Sequence, residues 1–248
     1  MPYRYATEQL DYSDYASGRV FYNAPGHPVL PIRLMSELFQ RCLALRQQMG
    51  VTGRVAIYDP CCGSAYHLST LAFLHYEAIE TIIGSDIDND VLKVAQRNLG
   101  LLSHAGLQQR ANEIETMRQQ YGKPSHQLAA ESVQRLQARY QQFAAKHVIR
   151  TETFSADATH STFIQQGLAA RRVDLVIADV PYGKRVNWQS TGQEEPLWQL
   201  LEALRPTLNT QTIVAIIANK AQKCDHADYQ RVGRFQIGKR RIFLLQGK

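Results

Sequence analysis

Short apolar runs alternate with helical spacing along most of this 248-residue chain, and the runs keep stopping at an aspartate. Val55–Tyr58 ends at Asp59, Thr81–Ser85 at Asp86, and Val173–Ala178 at Asp179; Ile149–Phe154 lies just before Asp157. The spacing predicts helices near Pro31–Met49, Leu68–Tyr76, Asn89–Leu101, Thr162–Ala170 and Leu197–Leu204. A further strand at Thr212–Ala218 and a hairpin of Phe235–Ile237 with Ile242–Leu245 complete the series. Strand–helix alternation requires crossover connections, which give a mostly parallel sheet covered by helices. The expected fold is therefore α/β, a doubly wound, mostly parallel, Rossmann-like seven-stranded sheet in a single domain over residues 1–248. Residues 1–50 read as an N-terminal extension and helix. Residues 103–147 read as an inserted pair of polar helices, hinged near Gly122-Lys123-Pro124-Ser125.

In such sheets ligands bind beyond the carboxyl ends of the strands, where these aspartates fall. One aspartate at a strand end is commonly a cap or turn former. Four in register point to a site. The first loop, DPCCGSAY, has one glycine where a dinucleotide fingerprint needs three, and no Gly-Lys-Ser/Thr follows it as in a P-loop. A ligand with a cationic centre and ribose hydroxyls but no pyrophosphate suits it better, and S-adenosylmethionine is such a ligand. Asp86 is placed to accept from ribose hydroxyls, Asp157 from the adenine amino group, and Gly63 lets the backbone approach the methionine moiety.

Asp179-Val180-Pro181-Tyr182-Gly183 resembles the Asp/Asn-Pro-Pro-Tyr/Phe signature of methyltransferases acting on nitrogens of nucleic-acid bases. Tyr182 offers a stacking face, Asp179 accepts the base N–H, and Pro181 stiffens the turn. Cys61 and Cys62 lie in the cofactor loop rather than after the fourth strand, which makes them packing residues rather than nucleophiles.

Charge adds a partner. The net +6 is concentrated in residues 101–150 (net +4) and 220–248 (net +6), with acidic stretches elsewhere. Arg110, Arg118, Lys123, Arg135 and Arg139 on the inserted helices, and Lys239, Arg240 and Arg241 beside Lys220 and Lys223, are candidate phosphate contacts. Lys184 and Arg185 follow the aromatic loop. No apolar run is long enough for a membrane helix, and the N-terminus lacks the apolar core of a signal peptide, so the cytoplasm is expected. Four cysteines without CxxC spacing, and eight histidines without ligand spacing, lead us to expect no metal.

DPCCGSAY, SDIDND, YGKPSHQLAAESVQRL, SADATHS and DVPYGKR occur in the order seen in the AviRa family, avilamycin-resistance 23S rRNA methyltransferases of the class I S-adenosylmethionine-dependent fold, and the chain resembles that family. The N-terminal SGRVFYNAPGHPVLPIRLMSELFQR and the C-terminal IGKRR extend the resemblance over nearly the whole chain. It implies methylation of a guanine nitrogen, N1 favoured, in 23S rRNA or the large ribosomal subunit near the orthosomycin site. It also implies that Asp59, Cys61, Gly63, Ser64 and Ala65 shape the methionine pocket. Asp86 and Ile87 would hold the ribose, Asp157 and Ala158 the adenine, and Asp179, Pro181 and Tyr182 the target base. Ala65 stands where the family pattern has a second glycine, and Val180 where it has leucine. Two other readings of the same residues remain: a guanine-N2 or adenine-N6 methyltransferase of another RNA or DNA, and a non-catalytic RNA-binding or ribosome-assembly factor.

Overall fold

The computed structural model describes residues 3–25, 29–180, 195–219 and 222–248. Its strands are β1 (Val55–Asp59), β2 (Ile79–Asp86), β3 (Arg150–Ser155), β4 (Leu175–Asp179), β5 (Ile213–Asn219), β6 (Tyr229–Ile237) and β7 (Arg240–Gly247). They form one seven-stranded sheet in the order β3-β2-β1-β4-β5-β7-β6, in which β7 runs antiparallel to its neighbours and the rest are parallel. Every residue of β1 is buried, and β4 and β5 are buried except at their last residues; this is the signature of strands covered on both faces. The order reverses between β1 and β4, and such a switch point opens a crevice at the carboxyl edge of a parallel sheet.

The helices are α1 (Ile32–Gln48), α2 (Tyr66–Leu74), α3 (Asn89–Gly100), α4 (His104–Tyr121), α5 (Pro124–Ala144), α6 (Ser161–Leu168) and α7 (Pro196–Leu204). One face of the sheet packs against α1 to α5 and the N-terminal extension, through Phe21, Leu38, Leu71, Leu99 and Leu136. The other packs against α6 and α7, through Ile164, Leu168, Leu200 and Leu204. The inserted pair is an antiparallel helical hairpin. Gly122, at φ +59°, ends α4 in the left-handed conformation, and Pro124 opens α5, as the sequence led us to expect.

The extension is fixed by buried polar groups. The Glu37 carboxylate accepts the backbone N–H groups of Arg4, Tyr5 and Ala6 at 2.7–2.8 Å. Those bonds, with Arg41, outweigh the cost of burial and hold its carboxyl below the ordinary glutamate value. Two local differences from the sequence reading have plain causes. Helix α6 stops at Leu168 because Ala169 and Ala170 both take positive φ. Strand β6 begins at Tyr229, six residues before the expected start. It is an outer strand whose side chains are largely exposed, so hydrophobic alternation does not mark it. Among the described residues no helix is long and apolar enough to cross a membrane.

Candidate active site

The parallel strands bring the strand-end aspartates to one edge. Asp59 ends β1, and its neighbour across the ladder is Gly84, two residues before Asp86 at the end of β2. Asp86 pairs with Ser155 at the end of β3, two residues before Asp157, and Asp179 ends β4 opposite Ile217 of β5. Alternation along the strands then sorts the faces. Ile57, Ile177, Ile217 and Ile242 all belong to the α1–α5 face, so Asp59, Asp179, Asn219 and Arg240, two residues from each, share that face at the sheet edge.

The loop between β1 and α2 is built to come close to something. Asp59 accepts the Cys61 N–H at 2.9 Å, and the Asp86 carboxylate accepts the Gly63 N–H at 2.9 Å. Gly63 and Ala65 both take positive φ, +53° and +52°, which folds the backbone tightly over the end of β1. Asp59 is 2% exposed. Burial pushes its carboxyl well above the ordinary value, the Cys61 bond opposes this, and the charges of Asp179 and Asp86 push it further up. A buried carboxylate beside two like charges favours a bound cation, and a sulfonium with ribose hydroxyls meets that demand. Asp157 accepts from the Thr159 N–H and hydroxyl at 2.9 and 2.7 Å, Ala158 is buried beside it, and Ile87 is exposed at the lip. Burial and the neighbouring carboxylates also push the Cys61 and Cys62 thiols well up, so both stay protonated and unreactive.

Pro181, Tyr182, Lys184 and Arg185 lie outside the described residues, as does Lys220. The remaining cations divide sharply. Lys239, Arg240 and Arg241 sit at the β6–β7 turn, which register places at the carboxyl edge: Arg240 faces Asn219 and Arg241 faces Ala218. Arg118 and Lys123 lie at the exposed end of the helical hairpin. Arg110 is a correction. It is 7% exposed, and its guanidinium donates to the carbonyls of Val20 and Arg19, pairs with Glu113 and lies over the Tyr22 ring. It ties the extension to the hairpin, and nothing of its charge is presented outward. Arg135 is committed to Asp14, and Arg139 donates to the Phe73 carbonyl.

Two residues at this edge escaped the sequence reading. Asn98 of α3 is fully buried; it donates to the Ser64 carbonyl and brackets Tyr22 through its backbone N–H and carbonyl, joining the cofactor loop to the extension. Nothing local marks it, because its partners lie 34 and 76 residues away. His67, in the first turn of α2, is pushed down to about 4 by burial and by the charge of Arg240, so the ring is neutral at physiological pH. Its position directly after CCGSAY was the available signal. Elsewhere, Glu202, His226 and Asp228 bring ligand-type atoms within 4.8 Å of one another. There His226 Nδ1 accepts the Asp228 N–H and Arg205 pairs with Asp228, so these atoms are committed within the protein.

The family model described as rRNA methyltransferase AviRa matches residues 1–240. The 23S rRNA (guanine(2535)-N(1))-methyltransferase of Streptomyces viridochromogenes is 37% identical over 246 residues, 98% of this chain and 95% of that protein. Two solved structures of the rRNA methyltransferase AviRa from the same organism superpose with TM-scores of 0.88 and 0.87, at 34% and 35% identity. Each comparison covers 99% of this chain and 96% of the other.

Proposed function

The chain belongs to the AviRa family of rRNA methyltransferases, and we propose that it methylates N1 of a guanine in 23S rRNA, with S-adenosylmethionine as methyl donor. The observation that carries this reading is the carboxyl edge: Asp59 is buried beside the like charges of Asp86 and Asp179, next to a loop whose backbone turns through two left-handed residues. When bound, S-adenosylmethionine supplies a methyl group on a cationic sulfur. Gly63, Ser64 and Ala65 would hold its methionine end, the Asp59 carboxylate would meet the positive charge, Asp86 and Ile87 would hold the ribose, and Asp157 and Ala158 the adenine.

Guanine N1 carries a proton at neutral pH. As the N1–C bond forms and the S–C bond breaks, that proton must leave, and the Asp179 carboxylate is the acceptor at hand. Negative charge then spreads to O6. Lys184 and Arg185 are the candidates to meet it, and Tyr182 and Pro181 to hold the base. A base within a helix has to be extruded to reach the pocket. Lys239, Arg240 and Arg241 at the same edge, with Arg118 and Lys123, contact the phosphates. We place the protein with the ribosome in the cytoplasm, and assign the modification to orthosomycin resistance.

The test is to incubate the chain with labelled S-adenosylmethionine and a 23S rRNA transcript, then digest the RNA and identify the product by mass spectrometry. 1-Methylguanosine is expected, with a matching stop to reverse transcription because N1 lies on the pairing edge. A mark confined to N2, adenine or ribose overturns the N1 assignment.

A further inference from the structure

The tip of the helical hairpin rises past the end of the cofactor loop. Helix α5 runs alongside α2 in the same direction: Tyr76, just past the end of α2, stacks on Phe143 at 4.9 Å, and Arg139 Nε donates to the Phe73 carbonyl at 3.0 Å. Further toward the start of both helices, Ser132 and Arg135 of α5 hold Asp14 at 2.7 and 2.6 Å. The next residue, Tyr15, accepts at its carbonyl from the hydroxyl of Tyr66, the first residue of α2. The cofactor loop therefore ends about level with Ser132. Pro124–Glu131, at 1.5 Å per residue, stand about 12 Å beyond it.

The tip of the hairpin is a two-residue turn and carries an uncovered ring. Tyr121 closes α4 and is 64% exposed, and its ring meets His126 of α5 at 6.0 Å and 66°. Only Gly122 and Lys123 join the two helices. The hairpin is braced lower down by Arg110 on the Val20 carbonyl and by Asp14 on Arg135 and Ser132. Lys123 is exposed at the turn, and Arg118, one turn back, is held among the described residues only by Glu115 in an exposed ion pair, which is cheap to exchange. A fixed aromatic face flanked by exchangeable cations is the arrangement that binds an unstacked base together with its phosphates.

We propose that Tyr121, backed by His126, is a stacking platform for an unpaired nucleotide of the rRNA substrate outside the pocket, with Arg118 and Lys123 on the adjoining phosphates. The proposal rests on the rRNA methyltransferase reading above and adds to it where and how the substrate is gripped. It also specifies a non-helical substrate segment, because a paired and stacked base offers no free face to Tyr121.

The full-length protein, Tyr121→Ala, Tyr121→Phe and Lys123→Ala are compared by rRNA-fragment binding over a range of salt, by methyl-transfer kinetics and by thermal melting. Tyr121→Ala should raise the RNA Kd and KM roughly ten-fold, the size of one base–aromatic stack, with kcat and Tm unchanged. Tyr121→Phe should bind like the parent. Tyr121→Ala should leave the salt dependence unaltered, whereas Lys123→Ala should reduce the log–log slope by about 0.7, as for one phosphate contact on a single strand. Parent-like affinity in Tyr121→Ala overturns the proposal. So does an equal loss in the phenylalanine variant. Failure of the underlying reading is distinguishable, because there the parent protein itself neither binds nor methylates rRNA.

Discussion

The two edges of the sheet carry charge in opposite ways. Among the described residues, acids at the amino edge have basic partners. Arg150 meets Glu80, Arg171 meets Glu152, Lys146 meets Glu77, and the buried Asp174 carboxylate joins Arg46 and Arg172 to the Ala56 N–H. At the carboxyl edge Asp59 feels Asp86 and Asp179 as like charges, and burial adds to the cost. Matched charges hold a structure together. Charges that oppose one another are kept where a ligand will reconcile them, which is why perturbed groups mark functional sites. The comparison assigns the amino edge to stability and the carboxyl edge to chemistry.

Substitutions should separate along that line. The largest effect expected is on turnover. Asp179→Ala should lower kcat by about 10³-fold, the scale of a lost proton acceptor, with S-adenosylmethionine affinity within a few-fold by calorimetry. Retained turnover would remove Asp179 from its role. Next comes Asp174→Ala, which strands the buried Arg46 guanidinium and the Ala56 N–H. It should cost about 3–5 kcal/mol, and about 10 °C or more in Tm for a chain of this size. Below its new melting point the variant should turn over normally. A kcat loss there would break the division between the edges.

The chemistry of the carboxyl edge was legible because it is written in local order: an apolar run, then an aspartate, repeated. Parallel strands align such residues without any further information. What was not legible depended on distant partners. Arg110 sits in a basic, polar helix and reads as a phosphate contact, but its bonds go to Arg19 and Val20 in the extension, about ninety residues away. Asn98 bridges Ser64 and Tyr22 for the same reason. Strand β6 was read short because an outer strand with exposed side chains, interrupted between Arg231 and Gly233, has little apolar alternation to read. The antiparallel pairing of β7 on β5 also turned a terminal basic cluster into part of the carboxyl edge, a placement that only topology supplies.

Asp59 offers a sharper test, because one residue sets stability against function. Its folded-state carboxyl lies above the ordinary value, so the folded protein retains a proton that the unfolded chain releases. Between the two values protonation favours the fold; above both, the charge is a cost. Asp59→Asn keeps an oxygen for the Cys61 N–H and should raise Tm at neutral pH, because it removes the buried charge. That gain should shrink as the pH falls through the folded-state value. S-adenosylmethionine binding should weaken in the same variant, since the carboxylate we assign to face the sulfonium is removed. A Tm that falls at neutral pH would mean that Asp59 is stabilising, and the contrast with Asp174 would be lost.

The smallest effect belongs to the backbone. On the amino side of β1, the left-handed residues are Gly50 and Gly53; in the site loop, one such position is Ala65, at φ +52° and fully buried. Three terms meet in Ala65→Gly. Relief of the left-handed alanine is worth about 1–2 kcal/mol, loss of a buried methyl costs about 0.8, and the freer unfolded chain costs about 0.4–1. They cancel to within about 0.8 kcal/mol, so Tm should move by no more than about three degrees, and cofactor affinity by less than about four-fold. A fall of more than about 2 kcal/mol would show that the methyl wedges the loop open against the core, and that the site edge, like the amino edge, draws stability from its packing.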